Sequence, residues 1–234
     1  MIIHILAAGA SKGLVLNLQA RFTSETGYEI DGVFNAVGSI REKFVAGDVC
    51  DVLILTAKQI AELTIEGLLV PGSAKPLGAV STGVAVPMSH AAPDISTAPG
   101  LAAALQLAKG IYIPDPYNST AGIHFMKILK KLGIDEKVAP YLKPYPNGAT
   151  AMRHLADSSA ENAIGSTQIT EIKYTPGLAL VGALPPEFGL STVYSAAVSA
   201  KAIHPQAAHH LVDLLTGGST QILREQSGFE IPTE

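Results

Sequence analysis

The sequence predicts an α/β protein built on parallel sheet, and three observations carry that prediction. Short apolar runs ending in small residues alternate with helical patterns from the first residues onward. Twenty-two Gly and 15 Pro punctuate the exits of those segments. Hydrophobic residues make up 47% of the chain against 15% charged, enough apolar surface for a core that offsets chain entropy.

Ile2 to Ala8 is a buried strand, and Ser11 stands at an N-cap position before a helix over 12–26 that carries Val15, Leu18 and Phe22 and stops at Gly27. Glu29 to Phe34 is a second strand, and Gly38-Ser39 opens a helix ended by Gly47-Asp48. Val49 to Leu55 is a third strand and Ala57 to Glu66 a third helix. This β-α-β-α-β-α order implies a parallel sheet covered on both faces. Leu77 to Met88 then breaks the pattern as one long β-rich run with no helix after it. Alternation resumes with a helix at 100–108, a strand from Gly110 to Ile113, and a helix through Leu132 entered by the turn Asp115-Pro-Tyr-Asn-Ser-Thr-Ala-Gly122. Gly148 to Ala156 is helical, Asn162 to Ser166 a strand, Gln168 to Glu171 a short helix and Leu178 to Ala183 a strand. Pro185-Pro186 marks a second break. Thr192 to Ser199 is strand-like, and helices over Pro205–Leu215 and Ser219–Gln226 close the chain.

Composition excludes several classes of function. One Cys allows no internal disulfide. Sixteen basic against 20 acidic residues give net −4 with no Lys/Arg run, which argues against nucleic acid as the main partner. The opening MIIHILAA is too short for a membrane span of about 20 apolar residues and lacks the parts of a signal peptide. As written the chain is expected to be cytoplasmic without membrane insertion, and periplasmic if an upstream leader has been removed.

Three loops share one design, a strand end followed by small or hydroxyl residues and a helix start: Ala7 to Gly13, Asn35 to Ser39 and Tyr117 to Gly122. Pro146 to Thr150 is a fourth helix start of similar composition. Unpaired N–H groups and the positive dipole end make such starts anion sites, with Ser/Thr hydroxyls as extra donors. In open α/β sheets, ligands collect at the carboxyl ends of strands.

Two families carry loops like these. Ala7-Ala-Gly-Ala-Ser-Lys-Gly-Leu-Val15 resembles the cofactor loop of the short-chain dehydrogenases, but no Tyr-x-x-x-Lys pair exists anywhere in the chain, so that chemistry has no acid. The wider resemblance is to the molybdate-binding (ModA-type) branch of the type II periplasmic solute-binding proteins. It rests on Leu6-Ala-Ala-Gly-Ala-Ser11, Phe34-Asn-Ala-Val-Gly-Ser-Ile40, Gly47-Asp-Val-Cys-Asp-Val52, Asp115 to Gly122 with Lys130-Lys-Leu-Gly133, Val193-Tyr-Ser-Ala-Ala-Val198 and the close from Gln221 to Phe229. The resemblance implies two Rossmann-like lobes with the chain crossing between them twice: 1–81 with 193–234, and 82–192, and a ligand cleft between them. The two breaks in pattern fall where those crossings belong.

The resemblance also implies a ligand set: Ala10, Ser11, Val37, Gly38, Ser39, Asn118, Ser119, Thr120, Gly148, Ala149, Ser166 and Thr167, with no metal and no cofactor. Here the chain departs from the family. The family's oxyanion-binding Ser aligns with Val37, its ligand Tyr with Thr167 and a usual Pro with Thr120. Losing hydroxyls from a tetrahedral cage argues against molybdate, while those at Ser119, Thr120 and Ser166 point to a small di- or tricarboxylate. The first reading is therefore a solute-binding protein for a small anion, with an ABC permease as partner only if the chain is exported. The second is a cofactor-independent isomerase of an unsaturated carboxylic acid, similar to aconitate isomerases of the same branch, for which the residues single out no base.

Several side chains admit two readings. Lys12, Arg41 and Arg153 either pair with a carboxylate or are solvated helix charges. His124 is a proton shuttle or a satisfied helix histidine, and Tyr117 and Asn118 are an acid or base, or shape the loop. His204, His209 and His210 have no zinc-like spacing and read as a solvated face, and Cys50 reads as core.

Overall fold

A computed structural model describes residues 1–231. In chain order the elements are β1 (Ile2–Ala8), α1 (Lys12–Thr26), β2 (Glu29–Asn35), α2 (Val37–Ala46), β3 (Val52–Thr56), α3 (Ala57–Ile65), β4 (Lys75–Pro87), α4 (Ala98–Leu107) and β5 (Ile111–Pro114). There follow α5 (Thr120–Leu132), α6 (Asp135–Val138), β6 (Leu142–Tyr145), α7 (Gly148–Ala156), β7 (Ile164–Gln168), α8 (Ile169–Tyr174), β8 (Leu178–Ala183), β9 (Ser191–Val198), α9 (Pro205–Thr216) and α10 (Gln221–Ser227). The chain forms two compact units, one from Met1–Val80 with the chain from Thr192 onward, the other Ser81–Ser191.

In the first unit the strands run β2-β1-β3-β9, with β1 parallel to β2 and β3, and β9 antiparallel to β3. The apolar run of β1 is buried from Ile5 to Ala8 because it lies between two neighbours and under helices, while β2 at the edge alternates toward solvent. Phe22 of α1, Ile40 of α2, Ile60 of α3 and Leu211 of α9 meet these strands in one core. Positive-φ glycines end two of the helices as the sequence predicts: Gly27 closes α1 and Gly47 closes α2.

In the second unit the order is β8-β4-β7-β5-β6, with β6-β5-β7 parallel and β4 antiparallel to β7 and β8. Two cores cover its faces. Val84, Val86, Ile164 and Ile113 pack with Phe125 and Ile128 of α5 and Leu101 and Leu105 of α4. Ala85 and Tyr112 pack with Met152 and Leu155 of α7 on the other side.

Several features depart from the sequence reading. The strand expected over Asn162–Ser166 runs Ile164–Gln168, and the short helix expected over Gln168–Glu171 is Ile169–Tyr174, so Thr167 and Gln168 belong to the strand. The third strand begins at Val52 rather than Val49, because Val49 is exposed and the buried Asp51 carboxylate is committed to other N–H groups. It accepts from His4 N at 2.9 Å, Ile203 N at 2.6 Å and His204 N at 3.0 Å. Nothing in the pattern announced α6 and β6, since β6 is a half-exposed edge strand carrying Pro144. Ser11 does not cap α1 with its side chain: a 3-10 turn at Gly9–Ser11 leads into the helix, and the Ser11 hydroxyl donates back to Ala8 O at 2.8 Å.

Candidate functional site

In the first unit, parallel pairing sets Ala8 beside Asn35, so the turns leaving β1 and β2 emerge side by side at the carboxyl end of the sheet. Ala10-Ser11 and Val37-Gly38-Ser39 thereby share one edge. Neither α1 nor α2 has a side-chain cap, but the two differ: at α1 the preceding 3-10 turn takes the Lys12 N–H, which donates to Gly9 O, whereas α2 begins directly after β2 and its first-turn N–H groups are claimed by no cap. The hydroxyls divide: Ser11 is buried and spent on Ala8, whereas the half-buried Ser39 hydroxyl has no partner among the described residues. Val37 is buried in the core beneath this turn.

In the second unit, β6, β5 and β7 bring three predicted segments to the same end of the sheet. Asn118 is held by Asp115, whose carboxylate accepts from Tyr117 N at 2.7 Å, Asn118 N at 3.0 Å and Asn118 Nδ2 at 3.1 Å. Those bonds hold the Asp115 carboxyl below its ordinary range against the opposing effect of burial. Ser119 is the N-cap of α5 and accepts weakly from Gly122 N at 3.5 Å, while the adjacent Thr120 hydroxyl has no protein partner among the described residues. Gly122 has to be glycine, since a Cβ there would run into the carbonyls of Pro114 and Asp115.

The start of α7 is already filled from within the chain. Asn147 caps Thr150 N at 2.9 Å, and the buried Glu171 carboxylate accepts from the backbone N–H of Ala149 and Gln168 and from Thr167 Oγ1 at 2.5 Å. Gly148 lets this carboxylate in; a Cβ would collide with Glu171 Oε2 and Thr167 Oγ1. Burial pushes the Glu171 carboxyl up to about 6, and the three hydrogen bonds oppose that rise without cancelling it. Gly148, Ala149 and Thr167, which the sequence puts on a ligand, thus surround an internal anion. Ser166 is likewise spent, donating to Gly83 O at 2.9 Å.

Sequence reasoning missed Glu171 and also Gln168, Thr82 and Thr170. All four are buried, and neither amide atom of Gln168 nor either threonine hydroxyl has a hydrogen-bond partner among the described residues. Thr82 lies directly across from Gln168 in the β4–β7 register. Its N–H bonds Leu190 O and its carbonyl accepts from Leu184, so it faces Gln168 as a non-hydrogen-bonded pair, the closer kind of cross-strand pair.

Most of the remaining candidates have neighbours within the protein. Arg41 pairs with Glu66 at 3.6 Å, Arg153 Nη2 donates to Thr150 Oγ1 at 3.2 Å, and Lys12 Nζ lies 6.0 Å from the Phe34 ring centroid. His124 Nε2 is 2.7 Å from Phe188 O, His210 is 2.8 Å from Glu25, and Tyr117 is exposed. Burial raises the Cys50 thiol to about 12, making it an inert core group. A cavity of about 340 Å³ in the second unit, lined by Val86, His90, Leu107, Glu161, Asn162 and Ile164, adjoins the opposite ends of these strands and includes no predicted site residue. Among the described residues no cluster of His, Cys, Asp and Glu could hold a metal ion, and no helix is long and apolar enough to cross a membrane.

This is the two-lobed α/β architecture of type II periplasmic binding proteins, with donors at strand ends. Residues 3–230 match the family described as bacterial extracellular solute-binding proteins, and the chain belongs to it. The periplasmic molybdate-binding protein of Azotobacter vinelandii superposes with a TM-score of 0.81 at 17% identity, covering 99% of this chain and 100% of that one. The sulfate-binding protein SubI of Mycobacterium tuberculosis H37Rv gives 0.74 at 16%, covering 98% and 86%. At such identities these likenesses show the fold. In sequence, the chain is 24% identical over 235 residues to an aconitate isomerase from a Pseudomonas species, covering 97% of this chain and 86% of that protein.

Proposed function

We propose that this protein binds a small di- or tricarboxylate, held by backbone N–H and hydroxyl groups at the strand ends. The observation that carries the proposal is the uncapped start of α2, where first-turn N–H groups and the unpartnered Ser39 hydroxyl point to an anion while the apolar Val37 supplies no further hydroxyl. A tetrahedral metallate needs donors on every side. A carboxylate needs them along one edge and tolerates apolar surroundings beyond it. If the chain is exported, an ABC permease is its partner.

A specific observation favours a second reading, isomerisation of an unsaturated tricarboxylate. The match to an aconitate isomerase spans nearly the whole chain, and Glu171 is a buried carboxyl whose raised pKa suits proton transfer near neutral pH. In that reading a base removes an allylic proton and returns it to the other end of the allyl system, while N–H donors stabilise the anion between. A thermal-shift screen of molybdate, sulfate, succinate, citrate and cis- and trans-aconitate tests the first reading. Stabilisation by a carboxylate is expected, since a ligand that binds the folded state raises its melting temperature. Stabilisation by molybdate alone would overturn it. Conversion of cis- to trans-aconitate with deuterium taken up from solvent, followed by proton NMR, would establish the second reading, and its absence would remove it.

A further inference from the structure

The second unit holds a polar cluster that the chain's own bonding leaves unused. Gln168 is 3% exposed and Thr82 1%, so water reaches neither freely, yet the amide nitrogen and oxygen of Gln168 and the hydroxyl of Thr82 bond to nothing among the described residues. Burying such groups unpaired is costly, and folded proteins rarely leave several together without a use. Side-chain alternation along β7 fixes where the amide lies. Ile164 packs into the core with α5, and Gly165 abuts Met152 and Leu155 of α7. Ser166 and Gln168 therefore share the face of Ile164, on the side of α5, while Thr167 turns to the α7 side, where it meets Glu171. Gln168 thus stands at the carboxyl end of the sheet, on the face whose helix start carries Ser119 and the unpartnered Thr120 hydroxyl.

The inventory of the cluster defines its complement. A carboxylate can accept from Gln168 Nε2 and Thr82 Oγ1, but ionised at neutral pH it has no hydrogen for Gln168 Oε1. A hydroxyl both accepts and donates. We propose that Gln168, with Thr82 opposite, is a specificity-determining subsite that reads a hydroxyl on the ligand, so that the bound acid is a hydroxy-di- or tricarboxylate. This inference rests on the carboxylate-binding reading above. Sites built to bond a hydroxyl discriminate strongly against the analogue without it, because the buried polar groups are then left unpaired.

Citrate and propane-1,2,3-tricarboxylate differ by one hydroxyl and serve as probes in isothermal titration calorimetry at pH 7.5. The intact protein is expected to bind citrate at least about tenfold more tightly, the scale of one buried hydrogen bond. Gln168→Leu should abolish that ratio, leave the affinity for propane-1,2,3-tricarboxylate within about twofold, and leave the melting temperature of the ligand-free protein unchanged or higher, because an orphaned amide has been removed. Thr82→Val, should the leucine variant not fold, is expected to shrink the same ratio. Equal affinity for the two acids, or a ratio that survives both substitutions, overturns the subsite while leaving carboxylate binding intact. No binding of either acid overturns the carboxylate reading and the subsite with it.

Discussion

Gly148→Ala separates what helix propensity predicts from what this structure requires. Gly148 is the first residue of α7 and its φ is ordinary, so a propensity argument predicts a gain of about 0.4–1 kcal/mol from a stiffer unfolded chain. The structure predicts the opposite sign. The new methyl would occupy the position of Glu171 Oε2 and Thr167 Oγ1, and both belong to a fully buried network. Making room forces the Glu171 carboxylate off at least one of its three donors, Thr167 Oγ1, Ala149 N or Gln168 N. A hydrogen bond to a charged group is worth about 1.5–3 kcal/mol and overpacking costs about 1–3 kcal/mol. A net loss of about 3 kcal/mol follows, which for a chain of this size lowers the melting temperature by about 6–12 °C. Thermal unfolding followed by circular dichroism at pH 7 measures it, with Gly182→Ala as the control, because a Cβ there meets nothing within 4 Å. A Gly148→Ala protein as stable as the parent would refute the seating of an internal carboxylate at α7, and would return that helix start to the pool of ligand donors.

Other predictions draw on the same geometry. Because the Glu171 carboxyl in the folded protein is raised to about 6 from an ordinary value near 4.5, the native state holds a proton that the unfolded chain has released between those values. Its contribution is greatest below pH 4.5 and is lost by about 2 kcal/mol as pH rises through 6; urea midpoints between pH 4.5 and 7 should show this in the parent, and the component should vanish in Glu171→Gln. Asp51→Ala strands three N–H donors of the first unit and should cost about 3 kcal/mol or more in urea unfolding; a loss below about 1 kcal/mol would show that those bonds are not worth their geometry. Ser11→Ala and Ser39→Ala should split cleanly. The first loses about 1 kcal/mol of stability through its bond to Ala8 O, whereas the second leaves the melting temperature unchanged and weakens binding of whichever carboxylate the screen identifies.

Much of the fold was legible in the order of residues because its signals are local. An apolar run of four to eight residues between small-residue turns reads as a strand, and Ile2–Ala8, Ile111–Pro114 and Leu178–Ala183 all declared themselves that way, the first two buried and the third mostly not. Glycine after a helix reads as a left-handed cap, which Gly27, Gly47 and Gly133 are. The edge strand Leu142–Tyr145 gave no comparable sign, since its pairing to β5 depends on a neighbour rather than on its own pattern.

The candidate site was legible only in outline. Small and hydroxyl residues at strand ends marked Ala10-Ser11, Val37 to Ser39, Asn118 to Thr120 and Gly148-Ala149 as helix starts rich in donors, because capping chemistry is written within four residues. Which donors stay open is decided by groups distant in the chain. Glu171, 23 positions after Gly148, takes the start of α7 for itself, and Gly83 O takes the Ser166 hydroxyl from across the sheet. The pairing of Thr82 with Gln168 is likewise a matter of strand register, and no spacing in the sequence announces it. By itself the sequence determined the class of architecture and the chemistry available at its turns, since both follow from periodicity and local hydrogen bonding. Only the tertiary structure decided which of those polar groups are already satisfied and which lack a partner among the described residues, because hydrogen bonds across a sheet depend on register and burial rather than on neighbours in the chain.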